Sequence, residues 1–347
     1  MRAIVYAGPG VVALREAPEP VLQAPHDALV RVSLAGLCGT DLHVISGEFP
    51  GLEPGAIIGH EFVGDIIAVG SAVIRLKIGD HVMASDFTAC GFCRWCGRGE
   101  HWQCAERSFF GTGSSFGPAL AGAQAEIVRV PHAETTLAKV PQGCSDEAAL
   151  LIGDNLATGW TAIERASVSA GDTVAIIGGG AVGQLTSLAA QVAGASVVIV
   201  IEPNAERRQF ARTNGALAAT PQDASRLIAG ITDGDGVDVV IEAVGAGAPL
   251  HSAFDLVRKR GRIVAVGAHS TAEWAFPLAL GFAHELQIGF AIGNSIRARP
   301  RLSALVGAGL LDPTVVIDAR LGFNDVAGAY RDLREQKIMK AVIEPRR

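Results

Sequence analysis

The stretch TVAIIGGGAVGQLTSLAAQVAG, residues 173–194, changes its hydrophobic period partway through. TVAII is an unbroken apolar run, which suits a strand buried on both faces. GGGAVG then supplies a tight turn. QLTSLAAQVAG carries Leu and Ala at helical spacing and ends on glycine. The turn holds Gly178, Gly180, Val182 and Gly183, and its glycines match G-x-G-x-x-G between a strand and a helix. Small residues are required there because a pyrophosphate must approach the backbone and rest on the N–H groups and positive end of the helix. Glu202 ends the next strand, 19 residues beyond Gly183. A carboxylate at that place accepts hydrogen bonds from the adenosine ribose and repels a 2′-phosphate, which favours NAD over NADP. Arg207 and Arg208 follow closely and offer the opposite, a pair for that phosphate.

The pattern recurs along the chain. Runs begin at Thr173, Ser196, Leu217, Asp238, Arg262 and Leu286, 21 to 24 residues apart, about one strand plus one crossover helix. Six such units predict an α/β fold with a doubly wound parallel six-stranded sheet. Val244 and Gly245 in IEAVG, and Val266 and Gly267 in IVAVG, fall at the carboxyl edge, where open α/β sheets hold their ligand. The first 150 residues differ. Alternating runs such as ALVRVSLAG and AEIVRV lie between Gly and Pro turns, which predicts a β-rich domain. The closing KAVIEP reads as an edge strand returning to it. The expected organisation is a β-rich domain over residues 1–155 and 293–347, interrupted by a dinucleotide-binding domain over 156–292.

The chain has 347 residues, a net charge of −6 and 49% hydrophobic residues, enough for a core in each domain. Mild acidity without a basic block argues against nucleic acid as a partner. The opening MRAIVYAGPG has no apolar run behind a basic start, and no stretch is long enough for a membrane span. The expected location is cytoplasmic. A reducing compartment disfavours disulfides, which bears on CGFCRWCGRGEHWQC, residues 90–104. Cys90, Cys93, Cys96 and Cys104 are spaced to wrap a tetrahedral Zn²⁺ with no position open, a structural site. Disulfides or a redox pair fit less well, since a redox pair leaves two cysteines unexplained. Two further segments are dense in metal-capable groups: CGTDLH from Cys38 and GHE from Gly59.

Together, CGTDLH, GHE, the four-cysteine lobe, GGGAVG and the strand-ending glutamate resemble the zinc-dependent alcohol dehydrogenases of the medium-chain dehydrogenase/reductase family, in order and spacing. The resemblance implies a Rossmann domain beside a GroES-like catalytic domain, two zinc ions per chain and NAD. It makes Cys38, His60 and Asp154 ligands of a catalytic zinc, with Glu61 an occasional ligand and Asp41 the carboxylate that orients the histidine. Thr40 and His43 match a proton relay, and Lys340 a basic position near the pyrophosphate; Gly39 stands where some relatives carry another basic residue. The implied reaction is reversible hydride transfer between a primary or secondary alcohol and NAD, giving an aldehyde or ketone, with substrate between the domains. Phe49, Phe87 and Phe110 are candidates for its walls, and core packing explains each at least as well. A zinc-independent quinone or enone reductase, or a non-catalytic cofactor-binding protein, would retain the glycine motif but need none of the three ligands. The apolar run LQIGFAIG suggests association into a homodimer or homotetramer.

Overall fold

The computed structural model describes residues 1–49 and 51–346. It divides into two compact units, residues 1–154 with 294–347, and residues 155–293.

In the second unit six strands are all parallel, in the spatial order Leu217–Ala219, Val197–Ile201, Thr173–Ile177, Val237–Glu242, Val257–Ala265 and Gln287–Phe290. Stepping outward from the central Thr173–Ile177 in both directions gives the doubly wound order with a switch point beside the glycine turn. Its central strands are apolar on both faces because helices cover both. The fifth strand starts at Val257, five residues before the apolar run at Arg262, because VRKRG carries the charges that hide a strand from a hydrophobicity reading.

The first unit is built on a seven-stranded sheet whose long strand Ala28–Leu37 pairs antiparallel with Phe62–Val69, Ile127–Val130 and the C-terminal Ala341–Ile343. The last of these also runs parallel to Ala319–Leu321. Two helices of this unit position metal-capable side chains. Gly39–Ser46 leaves the end of the long strand with Cys38 as its N-cap residue. Asp146–Gly153 begins on a Ser145 cap that accepts the Ala148 N–H and stops at Asp154. A separate apolar cluster joins Phe87, Phe109 and Ile296 to the cysteines of the lobe. Among the described residues no helix is long and apolar enough to cross a membrane.

Candidate active site

Three segments far apart in sequence converge in the first unit: ligand atoms of Cys38, of the adjacent His60 and Glu61, and of Asp154 all lie within 4.8 Å of one another. Each is delivered by the end of a regular element. Cys38 sits where the long strand turns into a helix, His60 and Glu61 immediately precede the strand Phe62–Val69, and Asp154 caps the helix Asp146–Gly153. His60 Nε2 is 3.4 Å and Cys38 Sγ 3.8 Å from Asp154 Oδ2. Tetrahedral zinc with ligand bonds of about 2.0–2.3 Å would space neighbouring donors by roughly 3.3–3.8 Å. Thiol, imidazole and carboxylate at that spacing fit zinc.

Asp41 Oδ1 stands 3.0 Å from His60 Nδ1, where it can fix the ring so that Nε2 faces the cluster. The other oxygen, Oδ2, accepts the Cys38 N–H at 3.0 Å, the Tyr330 hydroxyl at 2.9 Å and, more weakly, Gln124 Nε2 at 3.4 Å. Gln124 Nε2 also donates to Tyr330 Oη and to Gly36 O. The ligand-bearing turn is therefore fastened by a fully buried polar network. Burial, then the nearby Asp41 charge, pushes the Tyr330 hydroxyl well above its ordinary range, so it stays a donor.

Glu61 is also fixed. Lys340 Nζ donates to both its carboxylate oxygens and to Leu37 O at 3.1 Å, and both side chains are 1% exposed. Burial raises the Glu61 carboxyl to about 7 against the pull of Lys340. Burial also works against the Lys340 charge, but Glu61, Cys38 and Asp154 outweigh it and raise its pKa. Lys340, which the resemblance puts near the pyrophosphate, has its ammonium buried and donates to Glu61 and Leu37 O. Asp154 is shifted down despite burial, because His60 hydrogen-bonds and attracts it.

Thr40 and His43 lie on the helix that follows Cys38, Thr40 half-buried and His43 with Nδ1 2.8 Å from Glu48 Oε2. Of the three wall candidates, Phe110 is core, packed edge-on against Phe62, and Phe87 packs against Trp102. Only Phe49 stays half-buried, between His43 and Phe116. The ring beside His60 is instead Phe109, with centroids 5.2 Å apart.

In the lobe all four cysteines are free thiols, with Cys90 and Cys96 Sγ 3.9 Å apart and Cys93 and Cys96 Sγ 3.6 Å apart. Tetrahedral thiolates on zinc at about 2.3 Å would stand about 3.8 Å apart. The four ligand atoms form one group within 4.8 Å, so the set fits a closed zinc site. Backbone N–H groups led by that of Cys96 lower the Cys93 thiol to about 6, while burial raises the thiols of Cys90 and Cys96.

In the second unit Gly178 has a φ of 102°, and a Cβ on Gly183 would lie 1.9 Å from Gly178 O, so the turn closes only with glycine at both. Glu202 Oε2 accepts the Gly179 N–H at 2.7 Å and its Oε1 the Asn204 N–H at 2.8 Å, which holds the carboxylate against the turn. Arg207 also approaches that turn, whereas Arg208 is drawn back by Glu202 O and Pro203 O. Two residues of this region escaped the sequence reading. Buried Gln184 ties Gly179 O to Arg207 O. Glu242, fully buried at the end of its strand, accepts the N–H groups of Val244 and Gly245 at 2.7 Å each and lies 3.0 Å from His269 Nε2. It thereby shapes one of the two edge loops that hold Val244, Gly245, Val266 and Gly267. The only sequence signal was an acid inside an apolar run.

Two family models match: one described as alcohol dehydrogenase GroES-like domain over residues 24–142, the other as zinc-binding dehydrogenase over residues 181–307. A "Probable zinc-binding alcohol dehydrogenase" of Mycobacterium tuberculosis is 37% identical over 96% of this chain and 85% of its own length. Alcohol dehydrogenase TADH from Thermus sp. ATN1 is 37% identical, with a TM-score of 0.94 over 99% of both chains. More distant solved structures carry either nicotinamide cofactor. A zinc-binding dehydrogenase of Sinorhizobium meliloti bound to NADP is 28% identical, TM-score 0.86 over 99% of both chains. A protein of Escherichia coli described as a short chain alcohol dehydrogenase and complexed with NADH is 25% identical, TM-score 0.87 over 99% of both. With both halves matched and the thiol, imidazole and carboxylate donors gathered at one place, the chain belongs to the zinc-dependent alcohol dehydrogenases of the medium-chain dehydrogenase/reductase family.

Proposed function

We propose that the protein interconverts an alcohol, primary or secondary, and the corresponding aldehyde or ketone, using NAD, with one catalytic and one structural zinc per chain. The observation that carries this reading is the convergence of Cys38, His60 and Asp154 with Asp41 behind the histidine. Zinc held there supplies Lewis acidity for ionising an alcohol near neutral pH, and the nicotinamide accepts hydride. The chain's own residues do the rest. Cys38, His60 and Asp154 hold the metal, while Lys340 keeps Glu61 in reserve beside it. Thr40 Oγ1 takes the alcohol's proton. His43, with Nδ1 anchored by Glu48, leaves Nε2 to carry it to solvent. A zinc-independent reductase would have no use for such a cluster.

Glu202, pinned on the glycine turn, supports NAD, and Arg207 beside the same turn is the opposing feature. Among the described residues the sheet's outermost strand Gln287–Phe290 has no partner on its outer edge, with Phe290 62% and, just beyond the strand, Ile292 48% exposed. We assign a homodimer or homotetramer to that edge. No part is proposed for nucleic acid or a membrane. The test is nicotinamide absorbance at matched NAD and NADP over a panel of alcohols and carbonyls, with zinc counted in the same samples. Turnover that vanishes in Cys38→Ala is expected; turnover that survives it would refute the reading.

A further inference from the structure

Glu242 ends the strand Val237–Glu242 at the sheet's carboxyl edge, fully buried, and holds two loops at once. Its backbone carbonyl accepts the N–H groups of Val266 at 2.8 Å and Gly267 at 3.1 Å, just beyond the end of the neighbouring strand. Its Oε1 accepts those of Val244 and Gly245. The two loops meet backbone to backbone: a Cβ on Gly267 would lie 2.1 Å from Gly245 N, and one on Gly245 would lie 2.6 Å from Ala268 O. The first loop also abuts the glycine turn, since a Cβ on Gly178 would lie 2.8 Å from Val244 Cγ2. Val244 thus turns its N–H inward to Glu242 and leaves its side chain 45% exposed at the edge.

His269 completes the brace from the second loop. Its Nε2 lies 3.0 Å from Glu242 Oε2, and since it faces a carboxylate, which only accepts, that nitrogen is the donor. Among the described residues no lysine or arginine pairs with Glu242, so His269 is its one side-chain partner. Without it Oε2 would be left in a buried place with no donor, and nothing would keep Oε1 on the two loop N–H groups but those bonds themselves. The imidazole is the accessible member of the pair, with 22% of its side chain exposed against none of the glutamate's, so it can be replaced without opening the core.

A doubly wound sheet takes a dinucleotide as two halves, one on each side of its switch point. The glycine turn and Glu202 follow Thr173–Ile177 and Val197–Ile201 and serve the pyrophosphate and the adenosine. The loops that Glu242 holds follow the two strands on the other side, so the nicotinamide half falls to them. We infer that His269 is a positioning residue for the cofactor: acting through Glu242, it keeps Val244 and Gly245 in the shape that receives the nicotinamide half of the dinucleotide. This rests on the proposed nicotinamide chemistry. With His269 absent the loop must be ordered at the moment of binding, and that cost is read as lost affinity.

The experiment titrates zinc-loaded wild type, His269→Ala and His269→Gln with NADH, followed by its fluorescence, and with ADP-ribose, which lacks only the nicotinamide, followed by calorimetry. His269→Ala should weaken NADH binding by roughly 10- to 100-fold, the range of a hydrogen bond to a charged group, and ADP-ribose binding by less than about 3-fold. His269→Gln keeps an N–H donor and should recover most of the loss. In turnover, KM for NAD should rise in His269→Ala while kcat does not fall with it; a misfolded fraction would instead lower kcat and leave KM alone. Unchanged NADH affinity in His269→Ala, equal losses for NADH and ADP-ribose, or no recovery in His269→Gln each overturns the assignment. If one of these is found while alcohols turn over, the assignment fails and the alcohol reading stands. If NADH binding follows the expected pattern and no alcohol or carbonyl turns over, the alcohol reading fails and His269 keeps its role. Wild type that binds neither NADH nor NADPH overturns both.

Discussion

Replacing Lys340 with methionine should be among the most damaging single changes outside the ligands. Both Lys340 and Glu61 are 1% exposed, and the ammonium reaches both carboxylate oxygens as well as Leu37 O. Methionine keeps much of the volume but takes away the cation that Glu61 faces. The carboxylate cannot simply swing away, since a Cβ on Gly36 would lie 1.7 Å from its Oε2 and the strand backbone walls that side. Stranding one member of a buried pair costs about 3–5 kcal/mol, whereas neutralising both costs much less. Lys340→Met should lower stability by that amount, and the double variant Glu61→Gln with Lys340→Met should recover about 2 kcal/mol or more of the sum of the single effects. Tryptophan fluorescence in urea can isolate the relevant unit. Of the four tryptophans, Trp95 and Trp102 belong to the first unit, so a Trp160→Phe, Trp274→Phe background reports on that unit alone. Zinc content must be matched across the four proteins. A coupling energy below about 0.5 kcal/mol would refute the argument, because it would mean that Glu61 does not depend on Lys340 for its charge.

Other outcomes rest on the same geometry. Asp154→Ala should lose one zinc per chain while the lobe keeps its own, as read by metal analysis; unchanged zinc content would remove Asp154 from the ligand set. Tyr330→Phe takes away a donor to Asp41 and should weaken metal binding at that cluster by roughly 10- to 100-fold in a chelator competition. Glu202→Ala should narrow the ratio of kcat/KM for NAD over NADP, and an unaltered ratio would shift cofactor choice to other residues. Asp238 accepts the Thr173 N–H at 2.8 Å and pairs with Arg258 at 2.7 Å, which lowers its pKa despite partial burial. A depressed carboxyl contributes stability above its unfolded pKa and loses it as pH falls through the folded one. Asp238→Asn should therefore cost about 1–2 kcal/mol at neutral pH and progressively less in acid, measured as urea midpoints across pH.

What could be read from the sequence was what the chain does locally. The glycine turn declares itself because strand, turn and helix are contiguous and Gly183 has room only beside Gly178 O. The lobe does so because its four thiols fall within one short loop. The doubly wound sheet was legible from period alone, except where charges in VRKRG masked the start of a strand. The ligand cluster was a different case. Cys38, His60 and Asp154 are distant in sequence, and only the resemblance to a family joined them before the structure set them within 4.8 Å.

The residues that went unread share a physical character. Gln124, Tyr330 and Glu242 are polar groups whose meaning lies in burial, and nothing in a linear pattern separates a buried carboxyl from a solvated one. Tyr330 meets Asp41 across 289 residues. Lys340 belongs with them in part, since a lysine near the C-terminus has no local mark of being sealed in against Glu61. Of the two readings open for Phe110, pocket wall and core, edge-on contact with Phe62 selects core. Burial raises the energetic stakes of each polar group, because an unsatisfied one costs far more inside than at the surface. The groups hardest to find in the sequence are thus the ones whose replacement should be felt most sharply.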